Sequence, residues 1–266
     1  MSRPLGPLAA RFFAWVQLRG RDLVRADEIS EALKLTQSQA QRLLRRLETS
    51  GMIARVRPAL YLAPQKLPLG GKWSPTTGQA LAALLSSYGG TYQICGPSTF
   101  NLYGWSTQVP QVTSAYNDHI SGARTIGALR LQLIKVAPRS LGDVERIEAP
   151  DGSPTVYSSR TRSLVDAIRD WSRFNSLPLA YEWARTEIAE ARVEPGELVK
   201  SALRFGDLAT RRRLGVLLER MEVAEALLKR LSSSLTPTSG KIAWVPGRPV
   251  RGRLNARWRV VENDGD

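Results

Sequence analysis

The sequence predicts an α+β protein, with an N-terminal winged helix-turn-helix domain over residues 1–66 and a mixed α/β domain over residues 73–266. Two observations predict this division. From Arg25 to Leu62, two segments with helical spacing of apolar residues are followed by two short strand-like runs, which is the order of a winged helix. After Lys72, strand-like runs are followed by a series of segments with an apolar period of 3.6 residues.

Three helices are expected in the first domain. Residues 5–18 and 26–33 each place apolar side chains on one face. Thr36 begins the third helix, because a threonine followed three residues later by Gln39 forms a capping box. Gly51 is placed to end that helix. Its buried stripe is expected to consist of Ala40, Leu43, Leu44 and Leu47.

The opposite face of the third helix has the chemistry that a DNA major groove requires. Glutamine pairs bidentately with adenine, arginine does so with guanine, and serine serves either base. Near the start of the helix we therefore expect base contacts, and from Arg45 and Arg46 we expect phosphate contacts. A solvated face of an ordinary amphipathic helix is the alternative. The expected base contacts are Gln37, Ser38, Gln41 and Arg42, and the N-cap residue Thr36 is counted with them among the DNA-binding residues.

A wing favours DNA binding over that alternative. The residue pattern predicts two short strands, at Met52–Arg55 and Leu60–Leu62, and a basic turn between them at Val56–Ala59. Arg55 and Arg57 would then meet the sugar-phosphate backbone beside the groove, contacts that position the protein without specifying sequence.

The composition of the chain limits which classes of protein it can belong to. A formal net charge of +14 in 266 residues attracts polyanions, nucleic acid first. No apolar run approaches 18 residues, and Met1–Pro4 leads into no signal-peptide core, so no membrane partner is expected. The sequence contains one cysteine, Cys95, and one histidine, His119. An internal disulfide is therefore excluded, and there are too few ligands for a structural zinc site. We expect a cytoplasmic protein without metal or cofactor.

The second domain follows an expected linker, Pro64–Lys72, which contains two prolines and the pair Gly70-Gly71. Ser74-Pro75 is expected to open a helix that runs to Tyr88. A short helix is expected over residues 96–105. Strands are expected over residues 91–95, 112–116, 129–136, 144–147, 155–157, 242–245 and 258–261. Helices are expected over residues 163–171, 179–191, 197–203 and 208–218, with a shorter one over residues 223–231.

The usual enzyme signatures are missing from the sequence. Gly152-Ser153 lacks the downstream acidic pair of a nucleotidyltransferase, since Asp143-Val144-Glu145 lies upstream of it. Asp264-Gly265-Asp266 lies at the extreme end, where fraying opposes metal assembly. The pair Asp118-His119 is either half of an acid–base dyad or a structural loop pair. We expect no catalytic residues and no enzyme activity.

Two basic segments fall outside the winged helix. Arg248, Arg251 and Arg253 lie in a loop that either contacts nucleic acid or is a solvated hairpin. The run Arg211–Arg213 opens a helix, which is the unfavourable end for cations, so it suggests placement for a partner.

The order of several segments resembles the AbiEi family, the antitoxins of type IV toxin–antitoxin systems associated with abortive phage infection. The similar segments extend over nearly the whole chain. They are Arg57–Pro64 at the end of the wing, Gly96–Pro110 (GPSTFNLYGWSTQVP), Arg160–Asp166 (RTRSLVD), Arg212–Gly215 (RRLG) and Arg257–Asn263 (RWRVVEN).

The resemblance implies a bifunctional antitoxin. The N-terminal domain would bind inverted repeats in the operon's own promoter, with contacts over residues 37–46 and 55–57, and repress it. The C-terminal domain would neutralise a cognate nucleotidyltransferase-like toxin, typically without a stable complex. The glycine common at the wing tip of such domains is Ala59 here.

Two other functions stay open at this point. One is a ligand-responsive transcription factor, with tryptophans of the second domain lining a pocket. The other is an RNA-binding protein that uses the basic C-terminal loop. The tryptophans in question are Trp73, Trp105, Trp171 and Trp183.

Overall fold

The computed structural model describes residues 5–68, 72–149, 152–237 and 239–264. The first four residues, Gly70 and Gly71 of the expected linker, and Gly265 and Asp266 of the C-terminal acidic motif lie outside these ranges. The chain has an α+β fold, as the sequence predicts. It divides into two compact units, one of residues 1–93, 111–141 and 146–156, the other of residues 94–110, 142–145 and 157–266.

The first unit begins with helices and a small antiparallel sheet in the predicted order. The sheet is three-stranded, with the order β1-β3-β2, and Val24 of β1 pairs with Tyr61 of β3. The first strand was not anticipated from the sequence. The elements are α1 (Pro7–Arg19), β1 (Leu23–Arg25), α2 (Ala26–Ala32), α3 (Gln37–Thr49), β2 (Ala54–Arg57) and β3 (Leu60–Leu62).

The core of these elements confirms the stripe predicted for α3, whereas Ala32, predicted on the buried face of α2, is exposed. Phe12 and Val16 of α1 are fully buried and pack with the inward face of α3. That face consists of the four residues expected from the spacing, each 2% exposed or less: Ala40, Leu43, Leu44 and Leu47. Truncating one such buried leucine to alanine typically costs about 2–5 kcal/mol, so this stripe fixes how α3 is seated.

The hairpin of β2 and β3 differs from the prediction in its turn. Val56 and Arg57 belong to β2, so the turn consists of Pro58 and Ala59 alone. The register shifts between Arg55 and Arg57, which marks a β-bulge in β2. Ala59 has φ 62°, so the left-handed turn that glycine usually serves is kept here by an alanine.

The remainder of the first unit surrounds the wing rather than starting after a linker. Helix α4 (Thr77–Ser86) and strand β6 (Gly122–Ile126) both contact β2. The boundary at residues 66–73 expected from the sequence is therefore not a boundary between compact units. The expectation that Pro75 opens α4 is also wrong. Thr76 caps the helix with Gln79, in a second capping box of the same kind as that of α3.

A larger, six-stranded sheet has the order β6-β7-β5-β4-β9-β8. Strands β5 and β7 run parallel, and β6 and β7 run antiparallel, with Ala115 opposite Leu133 and Ile126 opposite Leu129. The other bounds are β4 (Tyr92–Cys95), β5 (Thr113–Asn117), β7 (Leu129–Lys135), β8 (Val144–Glu148) and β9 (Pro154–Ser158).

The second unit is mostly helical, as predicted, and is built around α6 and α10. Leu164 and Ile168 of α6 and Leu214 and Leu217 of α10 are fully buried in its core. Its helices are α5 (Pro97–Leu102), α6 (Arg160–Arg169), α7 (Trp171–Phe174), α8 (Leu179–Ala189), α9 (Pro195–Phe205), α10 (Leu208–Arg220) and α11 (Glu225–Ser232).

A three-stranded sheet closes the second unit. Its order is β10-β12-β11, from β10 (Ile242–Ala243), β11 (Arg253–Asn255) and β12 (Val260–Glu262). Trp258, between β11 and β12, is fully buried in the helical core. Among the described residues, no helix is both long and apolar enough to span a bilayer.

Candidate nucleic-acid interface

The start of α3 is fixed by reciprocal capping bonds. The backbone N–H of Gln39 donates to Oγ1 of Thr36 at 3.3 Å, and the backbone N–H of Thr36 donates to Oε1 of Gln39 at 2.9 Å. The Thr36 hydroxyl is also 3.2 Å from the Ser38 hydroxyl. Thr36 was predicted both as the N-cap and as a DNA-binding residue, and its role as the N-cap is confirmed. The capping bonds hold the first turn, which carries Gln37 and Ser38, in a defined position.

The outer face of α3 is exposed along its length. No described residue forms an ion pair with an arginine of this face. The guanidinium groups of these arginines are therefore available to a polyanion. The exposed side chains are those predicted: Gln37, Ser38, Gln41, Arg42, Arg45 and Arg46.

The two wing arginines differ from each other. Arg55 is exposed and has no ion-pair partner among the described residues. Arg57 is half-buried, donates from Nε to Oγ of Ser87 at 3.0 Å, and lies 5.9 Å from the ring of Tyr88. Arg57 is therefore partly used in holding the wing to the end of α4, whereas Arg55 presents its whole charge to solvent.

The C-terminal basic residues are also exposed. Arg248 and Arg251 lie in the loop before β11, and Arg253 lies on β11 itself, which is an edge strand. None of the three forms an ion pair with a residue that the structure describes.

The run Arg211–Arg213 does not form the exposed basic surface that the expectation of a partner at this helix end implied. Arg212 and Arg213 are 4% and 7% exposed. Nε of Arg212 donates to the carbonyl of Trp258 at 2.6 Å, and Nε of Arg213 donates to that of Ala243 at 3.2 Å. Arg211 donates to the carbonyl of Leu203 at 2.8 Å. These arginines tie α10 to neighbouring chain segments, because buried carbonyls require donors.

The pair Asp118-His119 is part of a turn. Nδ1 of His119 lies 2.8 Å from Oδ1 of Asp118, which also accepts from the backbone N–H of Thr91 at 3.0 Å. Desolvation acts to raise the pKa of Asp118, but the hydrogen bonds from His119 and Thr91 lower it below its ordinary value. Within the described ranges, no three His, Cys, Asp or Glu side chains come together as a metal-ligand set.

Two of the segments that carry the family resemblance meet at a buried carboxylate in the second unit. Glu187, whose side chain is buried, accepts from Nε1 of Trp105 at 2.7 Å, from Nη1 of Arg160 at 3.0 Å and from Nε of Arg192 at 3.0 Å. Trp105 belongs to the GPSTFNLYGWS segment and Arg160 to RTRSLVD, so this carboxylate joins two of the quoted segments. Desolvation opposes ionisation, but these donors lower the pKa of Glu187.

The tryptophans are mainly packing residues. Trp105 and Trp183 stack with ring centroids 5.7 Å apart and pack on the core of the second unit. Trp171 begins α7 in the same unit. Trp73, in the first unit, borders a cleft that is described below.

Comparison with known proteins defines the class of fold. No family model matches the chain, and no curated protein does so either. The chain is similar in fold to the crystal structure of the Rv2827c protein from Mycobacterium tuberculosis, with a TM-score of 0.58 and 12% sequence identity. The alignment covers 97% of this chain and 92% of that one, so the likeness extends over both units but concerns the fold alone.

Proposed function

We propose that the chain is a winged helix-turn-helix repressor that binds duplex DNA at its own operator. The observation that carries this proposal is the exposed outer face of α3, whose three arginines have no ion-pair partner in the described part of the chain. Exposed Arg55 on the adjoining hairpin adds a fourth such charge. The opposite, leucine-rich face of α3 is buried, so the polar face is presented to the partner.

The residue types assign different roles along α3. Gln37, Ser38, Gln41 and Arg42, on its first half, read base edges in the major groove. Arg45 and Arg46, one turn further on, hold phosphates, as does Arg55 on the wing. The capping bonds of Thr36 position the first turn instead of contacting a base.

An operator of inverted repeats requires two copies of α3. Helices placed in successive major grooves lie about 34 Å apart along the duplex, so the half-site spacing follows from the symmetry of the bound pair. The two copies act either as a dimer or as monomers assembled on the DNA.

The second part of the proposal is antitoxin activity against a cognate nucleotidyltransferase-like toxin, in the cytoplasm. It is supported by the resemblance of the five segments to AbiEi antitoxins and by the absence of the usual enzyme motifs from the sequence. Neutralisation and DNA binding are separate activities in this proposal. Variants of α3 that abolish operator binding should therefore still protect cells that express the toxin gene adjacent to this chain's own.

A paired substitution tests the assignment of α3. The double variant Gln41→Ala/Arg42→Ala should lose preference for the operator while keeping its fold and its nonspecific binding. Each bidentate base contact that is lost should cost about 1–3 kcal/mol of discrimination. The matched control is Gln17→Ala/Arg21→Ala, which removes the same residue types from exposed positions outside α3 and the wing. An unchanged sequence preference in the α3 variant would refute the assignment.

One observation favours a second function, that of a ligand-responsive regulator. A cleft of about 750 Å³ in the first unit is bordered by Glu48 and Thr49 at the end of α3, by Arg55, and by Trp73 and Thr125. A molecule bound there would contact both DNA-binding elements. A metabolite that raises the melting temperature and changes operator affinity together would support this function, and no such shift across a broad screen would count against it.

A further inference from the structure

A pocket in the second unit is lined by cations and hydroxyl groups. It has a volume of about 680 Å³, within the range of small-molecule sites. No described residue of its lining is acidic. We call it the arginine pocket, and its polar lining consists of Arg212, Ser232, Thr236, Ser239, Arg257 and Arg259.

Two of these arginines carry charge that no carboxylate among the described residues neutralises. Neither Arg212 nor Arg259 forms an ion pair with a described residue. Arg212 is 4% exposed, and both desolvation and the charge of Arg259 lower its pKa. A buried charge without a counter-ion is costly, so an anion between these guanidinium groups would stabilise the fold.

The third arginine is different. Arg257 pairs with Glu225 at 2.9 Å and with Glu219 at 3.5 Å, and neither glutamate lines the pocket. The excess positive charge of the pocket is therefore located on Arg212 and Arg259.

Hydrogen-bond donors without partners occur at the same place. Nε of Arg259 and Nε1 of Trp258 are buried and find no acceptor in the part of the chain that the structure describes. Both groups are donors only. Arg259 otherwise donates from Nη2 to the carbonyl of Ser239 at 2.7 Å, and Arg212 donates to the carbonyls of Trp258, Gly240 and Arg259. Residues that line the pocket therefore combine donors without acceptors and uncompensated positive charge, the two properties that an oxyanion site requires.

We propose that the arginine pocket binds a phosphate group, held by Arg212 and Arg259. The phosphate belongs either to a small phosphorylated molecule, for which the volume leaves room, or to a nucleic-acid backbone. The site lies in the second unit and is independent of the DNA-binding role of α3.

Calorimetric titration of the full chain with inorganic phosphate tests the proposal, with sodium chloride at equal ionic strength as the reference. Phosphate should bind and raise the melting temperature above that of the reference. Arg259→Gln should weaken binding about tenfold, as expected for one charge-assisted hydrogen bond. Arg248→Gln is the matched control, since it removes the same charge from an exposed loop residue and should leave the affinity unchanged.

A second variant separates loss of binding from loss of fold. Arg259→Lys keeps the charge, so it should fold and bind phosphate more strongly than Arg259→Gln does. Competition by a short duplex would identify a nucleic-acid backbone as the source of the phosphate, whereas no competition would identify a small ligand. The proposal is overturned if phosphate has no effect beyond the chloride reference, or if Arg248→Gln and Arg259→Gln weaken binding equally.

Discussion

Replacement of Gly215 by alanine has two opposite effects on the free energy of unfolding. The higher helix propensity of alanine raises it, and crowding of the neighbouring side chains lowers it. Gly215 lies inside α10, where alanine is favoured over glycine by about 1 kcal/mol. A Cβ atom there would lie 2.2 Å from Cε3 of Trp258, far inside an ordinary contact of 3.4–4 Å. Trp258 is fully buried and its carbonyl accepts from Arg212, so the backbone that carries the ring is held in place.

Overpacking of this kind typically costs about 1–3 kcal/mol, and more when backbone must shift. We expect Gly215→Ala to lower the free energy of unfolding by about 2 kcal/mol after the propensity gain is subtracted. For a chain of this size the melting temperature should fall by about 4–8 °C. Urea denaturation and calorimetry measure the two quantities.

The matched control is Gly196→Ala in α9, because the nearest atom to a Cβ there is Cδ2 of Leu227 at 3.9 Å. That substitution should be neutral or stabilising by up to about 1 kcal/mol. If Gly215→Ala were as stable as the unmodified protein, the close packing of α10 on Trp258 would be refuted.

Three further outcomes are expected. Ala59→Gly should stabilise the fold by about 0.5–1 kcal/mol in urea denaturation, because Ala59 has φ 62°; a loss of stability would contradict the left-handed wing turn. Desolvation acts to raise the pKa of Glu187, but its arginine and tryptophan donors lower it overall. The stability that ionised Glu187 contributes is therefore present above the unfolded pKa and is lost as pH falls through the folded pKa. The variant Glu187→Gln should lose less stability between about pH 5 and pH 3 than the unmodified protein does. Equal losses of stability in the two proteins would count against this role of Glu187. Arg45→Gln should weaken binding to any duplex and reduce the salt dependence by about one phosphate contact; an unchanged salt slope would remove Arg45 from the interface.

The capping and periodicity rules predicted α3 well, because the start of this helix and its buried face are determined by residues close together in sequence. The Thr36–Gln39 capping box and the leucine stripe are both within one helix. The same rule, applied to Thr76 and Gln79, would have placed the start of α4 correctly. The prediction for α4 relied instead on the preference for proline at a helix start, and it placed the start of the helix at Pro75, two residues too early.

The linker and the short strands depend on contacts distant in sequence. β1 consists of three residues and forms because β3 offers a partner, which no local pattern reveals. The proline- and glycine-rich stretch at 64–72 does predict irregular chain, but it does not predict that α4 and β6 pack back on the wing. A break in secondary structure is not a break in tertiary contacts.

The arginines show the limit of charge patterns. Arg212 and Arg46 are both members of basic runs on helices. Arg46 is exposed, whereas Arg212 is buried against backbone carbonyls that only the folded second unit brings to it. Similarly, Trp105 from the loop after α5, Arg160 from α6 and Glu187 from α8 meet only in the folded chain, so the structural role of these two resemblance segments was not visible in the sequence.

The central claim is that this chain recognises the DNA of its own operator. Fluorescence anisotropy against a duplex of about 60 base pairs from upstream of its gene, long enough for two half-sites, tests that claim most directly. A scrambled duplex of equal length is the control, and salt is titrated. If the chain recognises its operator, binding to both duplexes should be salt-sensitive, with a clear preference for the native one. Equal affinity for the two duplexes at every salt concentration would contradict it, because the net charge of +14 would then act as a generic attraction for polyanions.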